Sequence, residues 1–237
     1  MNTQEAGGSV ATSEIGLQFL RQADILAPRD LLGLGVEIVG AGALGGSIAL
    51  VLAKMGFGMG HRLHLVDFDR CERHNLNVQW FRAADVHLGN SKVEAVADLL
   101  SMVCSVDVET HNERFTGAED RTLAPIIVLA VDSLEERRRI WTNLRAREDV
   151  RFLVDARMGP EMFEVLTFDR DRDDPDKFER SFDGTPLPLP PTCGGIAYTP
   201  IAAAGIVGSV LRAYARRQRF PRHVLMDLHN FLFEAKE

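Results

Sequence analysis

Residues 66 to 81, VDFDRCERHNLNVQWF, set Asp67, Asp69, Asn75 and Gln79 in one turn-rich stretch directly after an apolar run. Fixed polar side chains at the end of a strand suit a polar ligand better than a core. Upstream, GAGALGGS at residues 40 to 47 lies between a β-rich run and a helical one. There Gly40 permits a tight turn, Gly42 lets backbone approach a phosphate, and Gly45 allows close helix packing, with the helix N-terminus facing the anion. Alone, the glycines could be a plain strand-to-helix turn. Asp67 tips the balance, because it ends the second strand roughly 20 residues beyond the last glycine, where an acid accepts hydrogen bonds from a ribose. Together they predict nucleotide binding.

These residues need a scaffold, and the pattern supplies one. Short β-rich runs at 36–40, 62–68, 106–115, 125–132 and 151–158 alternate with helical runs at 44–56, 91–103 and 133–148. That alternation predicts an α/β Rossmann-like fold, a mostly parallel sheet with helices on both faces. A run at 163–169 precedes an acidic and Pro-rich crossing, residues 170 to 192. A helix over 199–218, with Thr199 at the N-cap and Pro200 at the first helical position, and a last edge strand within 223–234 complete the fold. The expected division is an N-terminal arm 1–30, a nucleotide-binding core 31–169, a crossover loop 170–199, and a helix and strand 200–237 that finish the same domain.

Composition narrows the function. With 237 residues, 46% hydrophobic and 26% charged, the chain has enough length for a real core. A formal charge of -7 argues against non-specific grip on nucleic acid, which rests on Lys and Arg. No apolar run approaches a membrane span of about 18 residues, and the start lacks a basic-then-apolar leader. A cytoplasmic protein with a loose N-terminus, binding neither nucleic acid nor membrane, is expected. Cys71, Cys104 and Cys193 are too few and scattered for a disulfide framework or a four-thiolate zinc site. Seven histidines show no metal spacing, and His64 and His74 suit surface roles.

GAGALGGS, then DFDRCERHNLNVQ, then GNSK at residues 89 to 92 closely resemble the ThiF/MoeB superfamily, the adenylation module shared with ubiquitin-activating enzymes. The resemblance covers about residues 17 to 215 and implies an ATP site in place of a dinucleotide site. By that resemblance Asp67 is the ribose acid, Asn75 and Gln79 the polar pair beside the phosphates, Lys92 the phosphate lysine, and Asp132 the acid that holds Mg²⁺. Their plain alternatives are a solvated helix position for Lys92, a helix N-cap for Asp132 and an Asx turn for Asn75. The implied activity is ATP-dependent adenylation of the C-terminal glycine of a small ubiquitin-like or sulfur-carrier protein, and the compact size without zinc cysteines resembles the activating enzymes of bacterial ubiquitin-like conjugation operons. A homodimer is implied, with Arg21 of the arm reaching the partner's site, and a conjugating enzyme as a further partner.

Two departures stand out. The family usually carries arginine just before the glutamine, where this chain has Val78, so Arg73, Arg82 or Arg157 must compensate or catalysis is weakened. Paired Cys-x-x-Cys motifs are absent, so no structural zinc is expected. Cys193, in PPTCGGIAYTP ahead of a helix start, is the candidate acyl acceptor, whereas Cys71 and Cys104 read as core. A pseudoenzyme that binds without turnover, an NAD-dependent oxidoreductase, and adenylation of a small molecule or peptide are the rivals.

Overall fold

The computed structural model describes residues 18–59, 61–104, 106–183 and 195–237. Strands β1 (Val36–Val39), β2 (Leu63–Val66), β3 (Val108–His111), β4 (Ile126–Leu129) and β5 (Phe152–Met158) pair in parallel. Strands β6 (Met162–Asp169), β7 (His223–Asp227) and β8 (Leu232–Lys236) extend the sheet in antiparallel fashion beyond β5. The order is β3-β2-β1-β4-β5-β6-β7-β8. The order in which strands are added reverses at β1, from which the chain winds outward to β2 and β3 and then back to β4 on the other side, and in open α/β sheets ligands collect outside the carboxyl ends of strands at such a point.

The central strands are buried on both faces, and the one charged residue of β1, Glu37, is paired with Arg121. All four residues of β1 and of β4 are buried, as a parallel strand covered twice requires. Alternate residues feed two cores. Ile38, Ile126 and Val128 pack with helices α1 (Ala43–Met55), α3 (Lys92–Val103) and α6 (Tyr198–Ala215). On the other face Val39, Ile127 and Leu129 pack with α4 (Leu134–Leu144), where Trp141 meets Phe168 and Phe178 at 4.8 Å between centroids. Phe178 belongs to the short helix α5 (Pro175–Glu179), which lies within the acidic crossing. Segment 18–31 is tied down: Phe19 and Leu31 are buried, and Gln22 Nε2 donates to the Met55 carbonyl at 2.8 Å.

Several details differ from the sequence pattern. The segment 223–234 is two strands of a hairpin rather than one edge strand, and the outer strand β8 is exposed throughout. A six-residue helix, α2 (Ala83–Leu88), lies between the polar loop and α3, where no helix was expected. Helix α6 starts at Tyr198 with Ala197 at the cap, so Thr199 is not the N-cap. The Thr199 hydroxyl donates instead to the Pro160 carbonyl at 2.8 Å, joining the helix start to the β5–β6 turn. No helix among the described residues is long and apolar enough to cross a membrane.

Candidate functional site

A cleft of about 1130 Å³ opens over the β1/β4 switch point. Gly40, at φ +97°, turns the chain out of β1, and a Cβ there would lie 2.8 Å from the Ala130 carbonyl oxygen. A Cβ on Gly45 would fall 1.7 Å from the Gly40 carbonyl, so the loop can close only on glycine. Gly42 differs. The nearest atom to a Cβ there is Gln79 Nε2 at 4.0 Å, so the fold itself leaves that approach open. Gly42 is the N-cap of the 13-residue helix α1 and offers no side-chain cap, which leaves the first amides facing the cleft.

Asp67 fixes the neighbouring loop. Its Oδ2 accepts from the Ala41 amide at 2.7 Å and its Oδ1 from the Asp69 amide at 2.8 Å, while the carboxylate still lines the cleft. Lys92 is 8% exposed and is not a solvated helix residue. Its Nζ donates to Asp69 Oδ2 at 2.7 Å beneath the cleft. Ser91 makes that placement, since it caps α3 in reciprocal contact with Glu94. Upstream, Asp85 holds Arg82 at 2.8 Å and Asn90 at 3.1 Å, and these bonds, the Arg82 contact first, pull its carboxyl down to about 2.

Gln79 lines the cleft with its Oε1 buried and without a hydrogen-bond partner among the described residues, an orphan that a ligand donor would satisfy. Asn75 does not line it. Its backbone carbonyl accepts from the Gln79 amide at 2.9 Å, so it shapes the turn that presents Gln79. Across the cleft, Ser133 Oγ caps α4 by accepting from the Glu136 amide at 3.2 Å. That leaves the exposed Asp132 carboxylate free of capping duty at the cleft wall.

The sequence pattern missed the buried pair behind the far wall, Arg137 and Asp155, though it named Asp132 and Arg157. Arg137, 3% exposed, bonds Asp155 and the Val131 carbonyl, and donates to the Ala156 carbonyl at 2.8 Å. Burial pulls its pKa below the ordinary value, and Asp155 opposes that. Arg157 bonds the other Asp155 oxygen at 2.7–2.8 Å and the Ser181 carbonyl at 3.0 Å. Helical spacing carried a signal, since Arg137 falls on the same face as Ile140, Trp141 and Leu144. Of the three arginines offered against Val78, only Arg157 lines the cleft; Arg82 is committed to Asp85 and Asp98, and Arg73 lines a separate groove with Leu76 and His87.

Arg21 is exposed and does not line its own chain's cleft. Cys193 lies outside the described residues. Cys71 is buried, and burial first, with Asp85 behind it, pushes its thiol up to about 11; burial also raises Cys104. Both are core thiols.

A family profile for the ThiF family matches residues 15–146. The chain belongs to the ThiF family. It is 36% identical over 124 residues to the Nedd8-activating enzyme E1 catalytic subunit of Drosophila melanogaster, covering 48% of this chain and 26% of that one. It is 31% identical over 130 residues to the adenylyltransferase and sulfurtransferase MOCS3 of Anopheles gambiae, covering 53% and 26%. This ThiF-family chain thus matches about a quarter of the length of those relatives. Among solved structures, PaaA aligns with a TM-score of 0.69 at 22% identity over 97% of this chain and 85% of that one. MccB of E. coli aligns with a TM-score of 0.72 at 16% identity over 97% and 71%. These two likenesses show the fold.

Proposed function

We propose that this ThiF-family protein is an adenylyltransferase that uses Mg²⁺ and ATP to activate the C-terminal glycine carboxylate of a small ubiquitin-like or sulfur-carrier protein. The observation that carries this reading is a single cleft lined by Gly42, Asp67, Gln79, Lys92 and Asp132 at the switch point of the sheet. The relatives named above, an E1 catalytic subunit and an adenylyltransferase, support it, and MccB has been solved with ATP on the same fold.

The chemistry follows from the positions. The α1 amides and Lys92 hold the phosphates and stabilise the charge that grows on departing pyrophosphate. Asp67 accepts from the ribose, and the orphaned Gln79 amide faces the nucleotide. The carrier carboxylate attacks the α-phosphorus in line, the new acyl–phosphate bond forms, and the bond to the β-phosphate oxygen breaks. The cleft wall offers oxygen donors suited to Mg²⁺, and Asp132 would hold it. When bound, the ion supplies charge neutralisation at the phosphate oxygens. Arg157 lines the wall from β5 and offers positive charge where Val78 leaves none. We assign Arg21 to the partner's cleft in a homodimer, Asn75 to support of the Gln79 turn, and Cys193 to acyl transfer after adenylation.

Pyrophosphate exchange tests the reading. Incubated with carriers that end in glycine, the protein should exchange labelled pyrophosphate into ATP only with Mg²⁺, and removal of the terminal glycine should stop it. Firm ATP binding with no exchange in any carrier would favour the alternative that Val78 supports, a ThiF-family protein that binds without turnover.

A further inference from the structure

Away from the cleft, parallel pairing of β2 with β3 sets His64 opposite Glu109. Glu109 and His111 are two residues apart on β3 and so share a face. None of the three lines the cleft. His64 Nδ1 lies 3.2 Å from His111 Nε2, and Glu109 Oε1 lies 3.4 Å from the same Nε2. One ligand atom from each of the three residues falls within 4.8 Å of the others.

We propose that His64, Glu109 and His111 bind one divalent transition-metal ion of the zinc class, which clamps edge strand β3 to β2. The spacing matches that use. Zinc–nitrogen bonds of about 2.0–2.1 Å at tetrahedral angles place ligand atoms about 3.3 Å apart, close to the 3.2 and 3.4 Å separations about His111 Nε2. Two imidazole nitrogens 3.2 Å apart can share only one proton, whereas a cation on which both converge uses both lone pairs. Arg62 bonds Glu109 Oε2, the outer contact that commonly orients a ligating carboxylate, and leaves Oε1 turned toward His111. Side-chain exposures of 16% for His111 and 34% for Glu109 leave a path for the ion and a fourth position for water. Two nitrogen donors favour zinc, cobalt or nickel over Mg²⁺, which takes oxygen. The clamp has a reach beyond its ligands: the His111 carbonyl accepts from the Asp67 amide at 3.1 Å, and Glu113 and Arg114 just beyond line the cleft.

The test uses the full chain and Co²⁺ as a spectroscopic stand-in for Zn²⁺. We expect one equivalent of Co²⁺ to give the intense visible bands of a tetrahedral ion, and one equivalent of Zn²⁺ to abolish them. His64→Ala or His111→Ala should weaken binding at least about 100-fold, since losing a ligand exceeds the 10–100-fold cost of losing an outer-shell partner. Asp132→Ala should bind cobalt as the parent does, which separates this site from the nucleotide cleft. Absence of a tetrahedral spectrum, or unchanged binding in both histidine variants, would overturn the proposal. Should a histidine variant fail to fold, ring-proton NMR of the unmodified protein decides: Zn²⁺ must shift the His64 and His111 signals, and shifts confined to other histidines refute the site.

Discussion

The two walls of the cleft are held by opposite means. On the β1–β2 side, backbone turns set the geometry: Gly40 and Gly45 close one loop, Asp67 ties two amides, and Ser91 starts α3 so that Lys92 points inward. On the β4–β5 side, side chains that are distant in sequence do the positioning, with Asp155 fully buried between Arg137 and Arg157. The first wall is local and its amides face outward to a ligand. The second is non-local, and its buried Arg137 and Asp155 are spent on one another and on backbone carbonyls. The difference predicts that changes to Lys92 and the α1 amides cost binding and turnover, whereas a change to the buried Asp155 costs the fold.

The largest effect belongs to the second wall. Asp155→Ala leaves Arg137 buried without its carboxylate, and breaking a buried pair costs about 3–5 kcal/mol. Urea unfolding should show a loss of that order, and a loss below about 1 kcal/mol would mean the wall is not built on this pair. Next, Lys92→Ala should lower pyrophosphate exchange on the order of 10²-fold, the size of a lost donor to developing charge, while circular dichroism stays that of the parent. An unaffected rate would return Lys92 to a structural partner of Asp69.

The first wall also has a titrating anchor. Because the Asp85 carboxyl sits at about 2 in the folded chain, below its ordinary 3.8, its contribution is present above about pH 4 and is lost as pH falls toward 2. That contribution is about 2 kcal/mol, and Asp85→Asn should flatten the acid limb of the stability profile by as much. A limb of unchanged steepness would remove Asp85 from the account. The smallest effect falls at the rim, where the Arg114 guanidinium lies 4.2 Å from the Phe68 ring centroid. Arg114→Ala should cost about 0.5–1 kcal/mol by thermal melting, the range for an exposed cation–π pair.

The same division explains what could be read from the chain alone. The first wall was legible because each part is a local signal: a glycine loop between strand and helix, an acid at the next strand end, and a serine cap before Lys92. The mostly parallel sheet was legible from strand and helix alternation. On the second wall Asp132 and Arg157 were legible, but the buried pair was not, because Asp155 and Arg137 meet only once β4, β5 and α4 are packed, and a triplet of arginines at 137–139 reads as helix surface. His64 and His111, 47 residues apart, likewise come together only through strand register. Residues 223–234 look like one strand in the sequence because the turn between β7 and β8 carries no Gly or Pro; Phe231 takes a positive φ of 56° there instead.

Gly42 offers the most direct test that the cleft receives Mg²⁺-ATP. A Cβ at that position meets nothing closer than Gln79 Nε2 at 4.0 Å, so Gly42→Ala should fold and melt within a few degrees of the parent, and Gly42→Val is the bulkier second variant. Either side chain would, however, fill the space through which backbone approaches a phosphate. By titration calorimetry with Mg²⁺ present, ATP affinity should fall at least about 100-fold, a loss of about 2.7 kcal/mol. Unchanged ATP affinity in a folded Gly42→Ala or Gly42→Val protein would contradict the account.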